Sequence, residues 1–343
     1  MKRSIKSTLS LICALACNFA SYANQQLQEA DPVKIKKTVQ GTIDNATERE
    51  LNANEDPLTE LLSKKSVKQN GGHENNHSYE FYSNIYGRYR KIENTSSAWE
   101  DNGSRAGISG YYQTDKNSWL FARYELGFNL LDELKTSRYQ QPDNNDNAYI
   151  FDGESLYTRL AYIGIESGNN IIAYGKSWST YYQIASFTDR FDSMGGEASG
   201  AYNAGTDGGA SGTGRADNVL QSRLHLDVFP EFIKLKPLSV NVQIQYGEDI
   251  PHVTNIQYGI SYGISTIIEA WSDLSFGVAY NYSNLDVNIN QSNNHYLAGD
   301  VSALLVGGRW FDDNWYIGFT LSKSENLHTT DNQQYFNGIG TEL

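Results

Sequence analysis

From Tyr79 onward the side chains change character at every second position, and this period of two is the strongest constraint on what the chain can fold into. Leu238, Val240, Val242, Ile244 and Tyr246 share one face of a segment, while Ser239, Asn241, Gln243, Gln245 and Gly247 share the other. Ile256, Tyr258, Ile260, Tyr262 and Ile264 alternate with Gln257, Gly259, Ser261, Gly263 and Ser265. Leu120, Ala122, Tyr124, Leu126 and Phe128 oppose Phe121, Arg123, Glu125, Gly127 and Asn129. Such segments read as β-strands with one apolar face. A soluble sandwich and a membrane barrel both have one apolar face per strand, so the period alone does not choose between them.

Three further features favour a barrel. In the later segments the second face is small or polar (Gly, Ser, Asn, Gln), which suits a wet interior better than a solvated sheet rich in Lys and Glu. Aromatic residues stand near segment ends, at Trp119, Trp178, Phe229, Trp271, Trp310 and Trp315, as in the interfacial girdles of membrane barrels. Connections alternate between short (167–169, 271–273, 312–314) and long (93–104, 135–155), the rhythm of short turns on one side and long loops on the other. Tyr is used 24 times against 13 Phe, Gly 30 times and Pro 6 times, and beyond the N-terminus there is no long apolar segment for a soluble core. The expected fold is all-β: a transmembrane antiparallel β-barrel over residues 78–343.

Residues 1–23 read as a secretory signal, with Lys2, Arg3 and Lys6 before an apolar run over 9–17 and a small-residue cleavage site at Ser21-Tyr22-Ala23. The apolar run is too short to span a bilayer as a helix. Both cysteines, Cys13 and Cys17, lie in it, so the mature chain would have no disulfide, thiolate metal site or thiol nucleophile. Residues 24–77 differ in composition and read as a polar extension, partly helical or disordered, with a helix start at Asp56-Pro57. A formal charge of −13 argues against nucleic acid as a partner. The six His are scattered without metal-ligand spacing, and no phosphate loop, dinucleotide fingerprint or G-x-S-x-G is present. Neither an enzyme, a cofactor nor a metal is expected.

One stretch breaks the short-loop pattern. Between a strand at 170–176 and another from Arg215 runs a Gly/Ser/Asp-rich excursion of about thirty residues, and loops that long are usually functional or disordered. Folded into the barrel, it would narrow the lumen. Its acids, Asp189, Asp192, Glu197 and Asp207, would then face a basic wall of Arg88, Arg105, Arg123, Arg159, Arg215 and Arg223. Opposed charges across a low-dielectric passage set a transverse field that orders water and disfavours apolar solutes.

These residues resemble the general porin family of Gram-negative outer membranes. Ile85-Tyr86-Gly87-Arg88 resembles the family's first strand, Ser104-Arg105-Ala106-Gly107-Ile108-Ser109-Gly110 its second, and Thr158-Arg159-Leu160-Ala161-Tyr162-Ile163-Gly164 its fourth. Tyr174-Gly175-Lys176, leading into Thr188-Asp189-Arg190-Phe191-Asp192-Ser193-Met194-Gly195-Gly196-Glu197, resembles the third, inward-folded loop. Gly214-Arg215-Ala216-Asp217-Asn218 resembles the start of the sixth strand. The resemblance covers about residues 79–343. It implies an outer-membrane, water-filled channel for passive diffusion of small hydrophilic solutes and ions. It also implies a homotrimer in contact with outer-membrane lipid and lipopolysaccharide. By the resemblance Arg105, Arg159 and Arg215 match basic constriction residues, Arg88 matches the basic position of strand one, and Asp189 and Glu197 match loop acids. Two features depart from the family. Asp192, Ser193 and Met194 stand where its loop commonly has Pro, Glu and Phe, which leaves the ion preference open. About eleven strands and a partial twelfth are legible against roughly sixteen in porins, and Leu343 is not the expected terminal aromatic residue. A smaller barrel and a truncated one both fit, and truncation is favoured because the matched strands keep family order and then stop. The alternative function is a non-conducting outer-membrane barrel serving as adhesin or anchor.

Overall fold

The alternating segments pair as antiparallel strands, from Arg105 onward each with the next strand in the chain, so backbone N–H and C=O groups between them are satisfied along ladders. The computed structural model describes residues 77–90, 98–101, 103–129, 156–168, 170–190, 196–226, 228–229, 238–250, 256–271, 273–287, 300–312, 314–329 and 335–343. The expected signal over 1–23, the extension over 24–77 apart from His77, and Asp192 lie outside these residues.

The first strands are β1 (His77–Asn84), β2 (Gly87–Arg90) and β3 (Ala98–Asp101). Next come β4 (Arg105–Asp115), β5 (Ser118–Phe128), β6 (Leu156–Ser167) and β7 (Asn170–Trp178). After the long excursion follow β8 (Arg215–Leu226), β9 (Leu238–Tyr246), β10 (Ile256–Trp271), β11 (Leu274–Val287), β12 (Val301–Phe311), β13 (Tyr316–Thr329) and β14 (Tyr335–Glu342). Twelve of them form one sheet, in the order β1, β4 and then β5 to β14 in sequence. Strands β2 and β3 pair only with each other. The period of two runs unbroken from Tyr82 to Arg90, yet the structure divides it. At the break the Ser104 hydroxyl accepts from the Tyr86 N–H at 3.0 Å, taking the place of a backbone carbonyl in the ladder. Asp101 Oδ1 accepts from the N–H groups of Gly103 and Ser104, both at 2.8 Å, and turns the chain into β4.

Register places like with like. Val242 stands opposite Ile264 and Ile244 opposite Tyr262, while Asn241 stands opposite Ser265. Val306 pairs with Val278 on one side and Leu321 on the other. A slip of one residue would send each of these apolar rows to the other face. The faces are inverted relative to a soluble protein. On β9, Val242, Ile244 and Tyr246 are 40%, 48% and 71% exposed, whereas Asn241, Gln243 and Gln245 are 2%, 4% and 2% exposed. Leu120, Tyr124, Ile260, Ile264, Leu304 and Leu321 extend the exposed apolar face, and Ser109, Ser261, Ser275, Asn281 and Ser324 extend the buried polar one.

The excursion between β7 and β8 covers part of that polar face. It contains a four-residue helical turn, α1 (Tyr182–Ala185), and a 3-10 turn at Glu197–Ser199. Tyr181, Ile184, Ala185 and Phe187 are buried with Ala279, Val301, Ala303, Leu305 and Leu327 of the wall. Glycines make room for this docking. A Cβ at Gly307 would meet Ile184 at 3.0 Å, and one at Gly277 would collide with the same side chain. A second buried cluster, Tyr111, Phe121, Leu160, Tyr162, Ile171 and Ala173, lies on β4 to β7.

The exposed apolar face predicts the response to an outward charge. Ile264→Arg should cost about 2–4 kcal/mol of folding free energy in lipid vesicles if the position lies near mid-bilayer, and Ile264→Leu almost nothing. Urea titration of the vesicle-inserted protein measures the difference. Equal stability of the two variants would show that this face does not meet hydrocarbon.

Candidate functional site

The chain leaves β7 at Trp178 and is tied down at once. The Ser179 hydroxyl accepts from the Tyr182 N–H at 2.9 Å and donates to the Thr213 carbonyl at 2.6 Å, joining the outgoing limb of the loop to the returning one. The wall holds both limbs through side-chain amides. Thr180 N–H donates to Gln243 Oε1 at 2.7 Å, and Gln243 Nε2 donates to the Gly212 carbonyl at 2.7 Å. Gln245 Nε2 reaches the Gly209 carbonyl and Asn281 Nδ2 the Ser211 carbonyl, each at 2.7 Å. Farther along, the Tyr316 hydroxyl donates to the Phe187 carbonyl at 2.8 Å, and Thr188 and Thr320 share a hydroxyl bond at 3.0 Å. Gly196 N–H donates to Glu342 Oε1 at 2.7 Å, and Ser322 donates to the Ala198 carbonyl. Much of the polar face that reads as a wet lining over β9 to β14 therefore serves as the loop's anchorage.

Among the described residues, two groups of charged side chains lie on the inner face near the loop. In the first, Glu125 of β5 accepts from Arg123 Nη2 at 3.0 Å, Arg159 Nε at 2.8 Å and the Tyr82 hydroxyl at 2.6 Å. Arg123 Nε also donates to the Tyr82 oxygen at 2.8 Å, and its guanidinium stands 4.9 Å from that ring's centroid. One acid thus offsets two guanidinium groups. In the second group, Lys176 pairs with Asp207 at 3.0 Å and Asp217 at 2.5 Å, and Arg215 pairs with Asp207 at 3.3 Å. A register shift between Gly175 and Ser177 precedes this contact. Gly175 takes φ 133° against the Ala161 carbonyl, a conformation and a closeness that only glycine accepts.

Asp189 sits beside the second group. Tyr182 and Tyr202 donate their hydroxyls to its Oδ2 at 2.7 and 3.1 Å. Trp178 stacks on Tyr182 with centroids 3.9 Å apart, and the Arg215 guanidinium lies 5.1 Å from the Trp178 centroid and 5.8 Å from that of Tyr202. Burial pushes the Asp189 carboxyl above the usual aspartate range, against the opposing pull of the two phenol hydrogen bonds and Arg215. Burial likewise raises both phenols, so they remain donors at neutral pH.

Of the residues expected at the site, Arg123 and Arg159 come together through Glu125, and Arg215 meets Asp207 of the loop. Arg105, on β4, is half-buried with its guanidinium 5.4 Å from the Tyr86 centroid. Arg223 is buried and donates to Asn241 Oδ1 at 2.8 Å. Arg88 lies on β2 in the separate hairpin, because the strand expected to carry it breaks at Ile85-Tyr86. Glu197 is exposed at the start of the 3-10 turn. Glu125, Lys176, Asp217, Tyr182 and Tyr202 were not among the expected residues. Glu125 had a signal, since it shares a strand face with Arg123 two places earlier, and so did Asp217, two places after Arg215.

No family model matches the sequence, and no curated protein matches it. Solved structures do resemble its fold. OmpF of Salmonella typhi, in complex with daunomycin, aligns at 21% identity and a TM-score of 0.54, over 73% of this chain and 67% of that one. An anion-selective porin from Comamonas acidovorans aligns at 14% identity and a TM-score of 0.50, over 73% of this chain and 68% of that one. At such identities the likeness speaks for architecture. With the antiparallel sheet, the apolar outer face and the inward-folded loop, it establishes that this chain has the β-barrel fold of porins.

Proposed function

We propose that the chain is an outer-membrane diffusion channel for small hydrophilic solutes and ions. One observation carries the reading: the sheet is inverted, with apolar side chains exposed on its outer face and charged and amide side chains gathered on its inner face around a folded-in loop. An apolar exterior of this kind suits hydrocarbon, and a polar interior suits water. The likeness to two porins agrees with this reading. No chemistry is done on the solute. The Glu125 group on the wall and the Lys176–Asp207–Arg215 group at the loop provide opposed charges through which a solute is selected by size and charge. In the same reading residues 1–23 direct secretion and 24–77 form a polar extension. The outer face meets lipid, lipopolysaccharide and the other copies of a homotrimer.

Single-channel recording of the folded protein in a planar bilayer tests this. Reproducible conductance steps are expected. Folded protein that inserts but gives no steps would reject the channel and leave the non-conducting anchor.

Two variants probe the charge arrangement. Asp189 titrates above an ordinary aspartate, so on acidification it gains its proton before an exposed aspartate does. Reversal potentials in a salt gradient should therefore move toward anion preference as pH falls through the acid range. Asp189→Asn, which keeps an acceptor for both phenols, should abolish that part of the shift. The sign for stability follows: a raised acid pKa stabilises the fold at low pH, and this contribution is lost as pH rises through the folded-state pKa. Glu125→Gln leaves Arg123 and Arg159 without their shared counter-charge. It should cost about 3 kcal/mol or more in denaturant titration, as removal of one partner of a buried pair does, and move the reversal potential toward anions at every pH.

A further inference from the structure

Where the loop's first turn meets the wall, a cavity of about 10 Å³ is lined by Ile171 and Ala173 of β7, Gln221 and Arg223 of β8, Asn241 of β9 and Gln183 of α1. That volume suits one water molecule and little else. Gln221 is 4% exposed, and its Nε2 donates to the Trp178 carbonyl at 2.8 Å. This bond fixes the orientation of the amide, because a flipped amide would set its oxygen against another carbonyl oxygen. Gln221 Oε1 is then buried, and among the described residues no group donates to it. A buried acceptor in that state is costly, and ordered water is the usual remedy.

Three other polar residues around the cavity, Arg223, Asn241 and Gln183, are joined in a chain through Ser265. Arg223 Nε donates to Asn241 Oδ1 at 2.8 Å, Asn241 Nδ2 reaches Ser265 Oγ at 3.3 Å, and Ser265 Oγ donates to Gln183 Oε1 at 3.0 Å. This chain runs from the wall to the loop's helical turn, and Gln221 stands beside it without joining it.

We infer that the cavity is a binding site for a single ordered water, which donates to Gln221 Oε1 and accepts from the Arg223 guanidinium. The chemistry selects water over an ion. A halide would suit the guanidinium but has no proton for Gln221 Oε1. A cation would suit Gln221 Oε1 but would sit beside a fixed positive charge. The bound water joins Gln221, which holds the backbone where β7 becomes loop, to the chain that ends on Gln183. It thereby fixes the first turn of the loop at both ends.

The test is a crystal structure of the full folded chain at a resolution that shows waters, with crystals also soaked in sodium bromide. One peak is expected within hydrogen-bond distance of both Gln221 Oε1 and the Arg223 guanidinium, with no bromide anomalous signal. Gln221→Met, which removes the acceptor and roughly keeps the volume, should lose that peak while the Arg223–Asn241 bond stays. No density in the wild-type cavity, a bromide signal there, or a peak that survives in Gln221→Met would each overturn the site. If the variant does not fold, the wild-type density and the bromide signal decide. Conductance plays no part in this test, so the water site and the channel reading stand or fall separately.

Discussion

A β-sheet with an apolar outer face must place its polar side chains inward, and the rest of this structure depends on that constraint. Between paired strands the ladders satisfy the backbone, so the outward side chains are free to be Val, Ile, Leu and Tyr. Everything that charges, orients or fills the interior must then come from alternate positions of the same strands or from a loop that turns in. This chain uses both. Glu125, Arg123 and Arg159 come from strands, while Asp189 and Asp207 come from the loop.

The loop is held by neutral hydrogen bonds more than by ion pairs. The amides of Gln243, Gln245 and Asn281 take its backbone, and glycines at 277 and 307 let Ile184 lie against the wall. Neutral bonds of this kind depend little on salt. The ion pairs gather at one end, where Lys176 and Arg215 meet Asp207 and Asp217. Position and charge are therefore largely separate properties of the loop. Most of its seat can stay the same while the charges at its base change.

The strands and their faces were legible because a period of two is local: Val242 and Asn241 declare opposite environments without reference to any other strand. The inward loop was legible from its length and composition. The pairing of charges was not, because it depends on which strands lie side by side and in what register. Arg159 finds Glu125, 34 residues earlier, only once β5 and β6 are aligned. The break at Ile85-Tyr86 was hidden for a similar reason. The alternation continues through it, and what interrupts the ladder is the hydroxyl of Ser104, 18 residues away. The inner-face amides carried a signal that could be read two ways, since Gln and Asn facing water look the same in sequence as Gln and Asn facing a backbone.

The seat of the loop also has a consequence for the order of assembly. Thr188 bonds to Thr320 across 132 positions of sequence, Ala198 to Ser322 across 124, and Gly196 to Glu342 across 146. These partners belong to β13 and β14, the last strands of the sheet. Loop closure over such separations is slow, and the contacts cannot form before those strands are in place. The part of the loop's seat around Thr188, Gly196 and Ala198 is therefore complete only once β13 and β14 have joined the sheet.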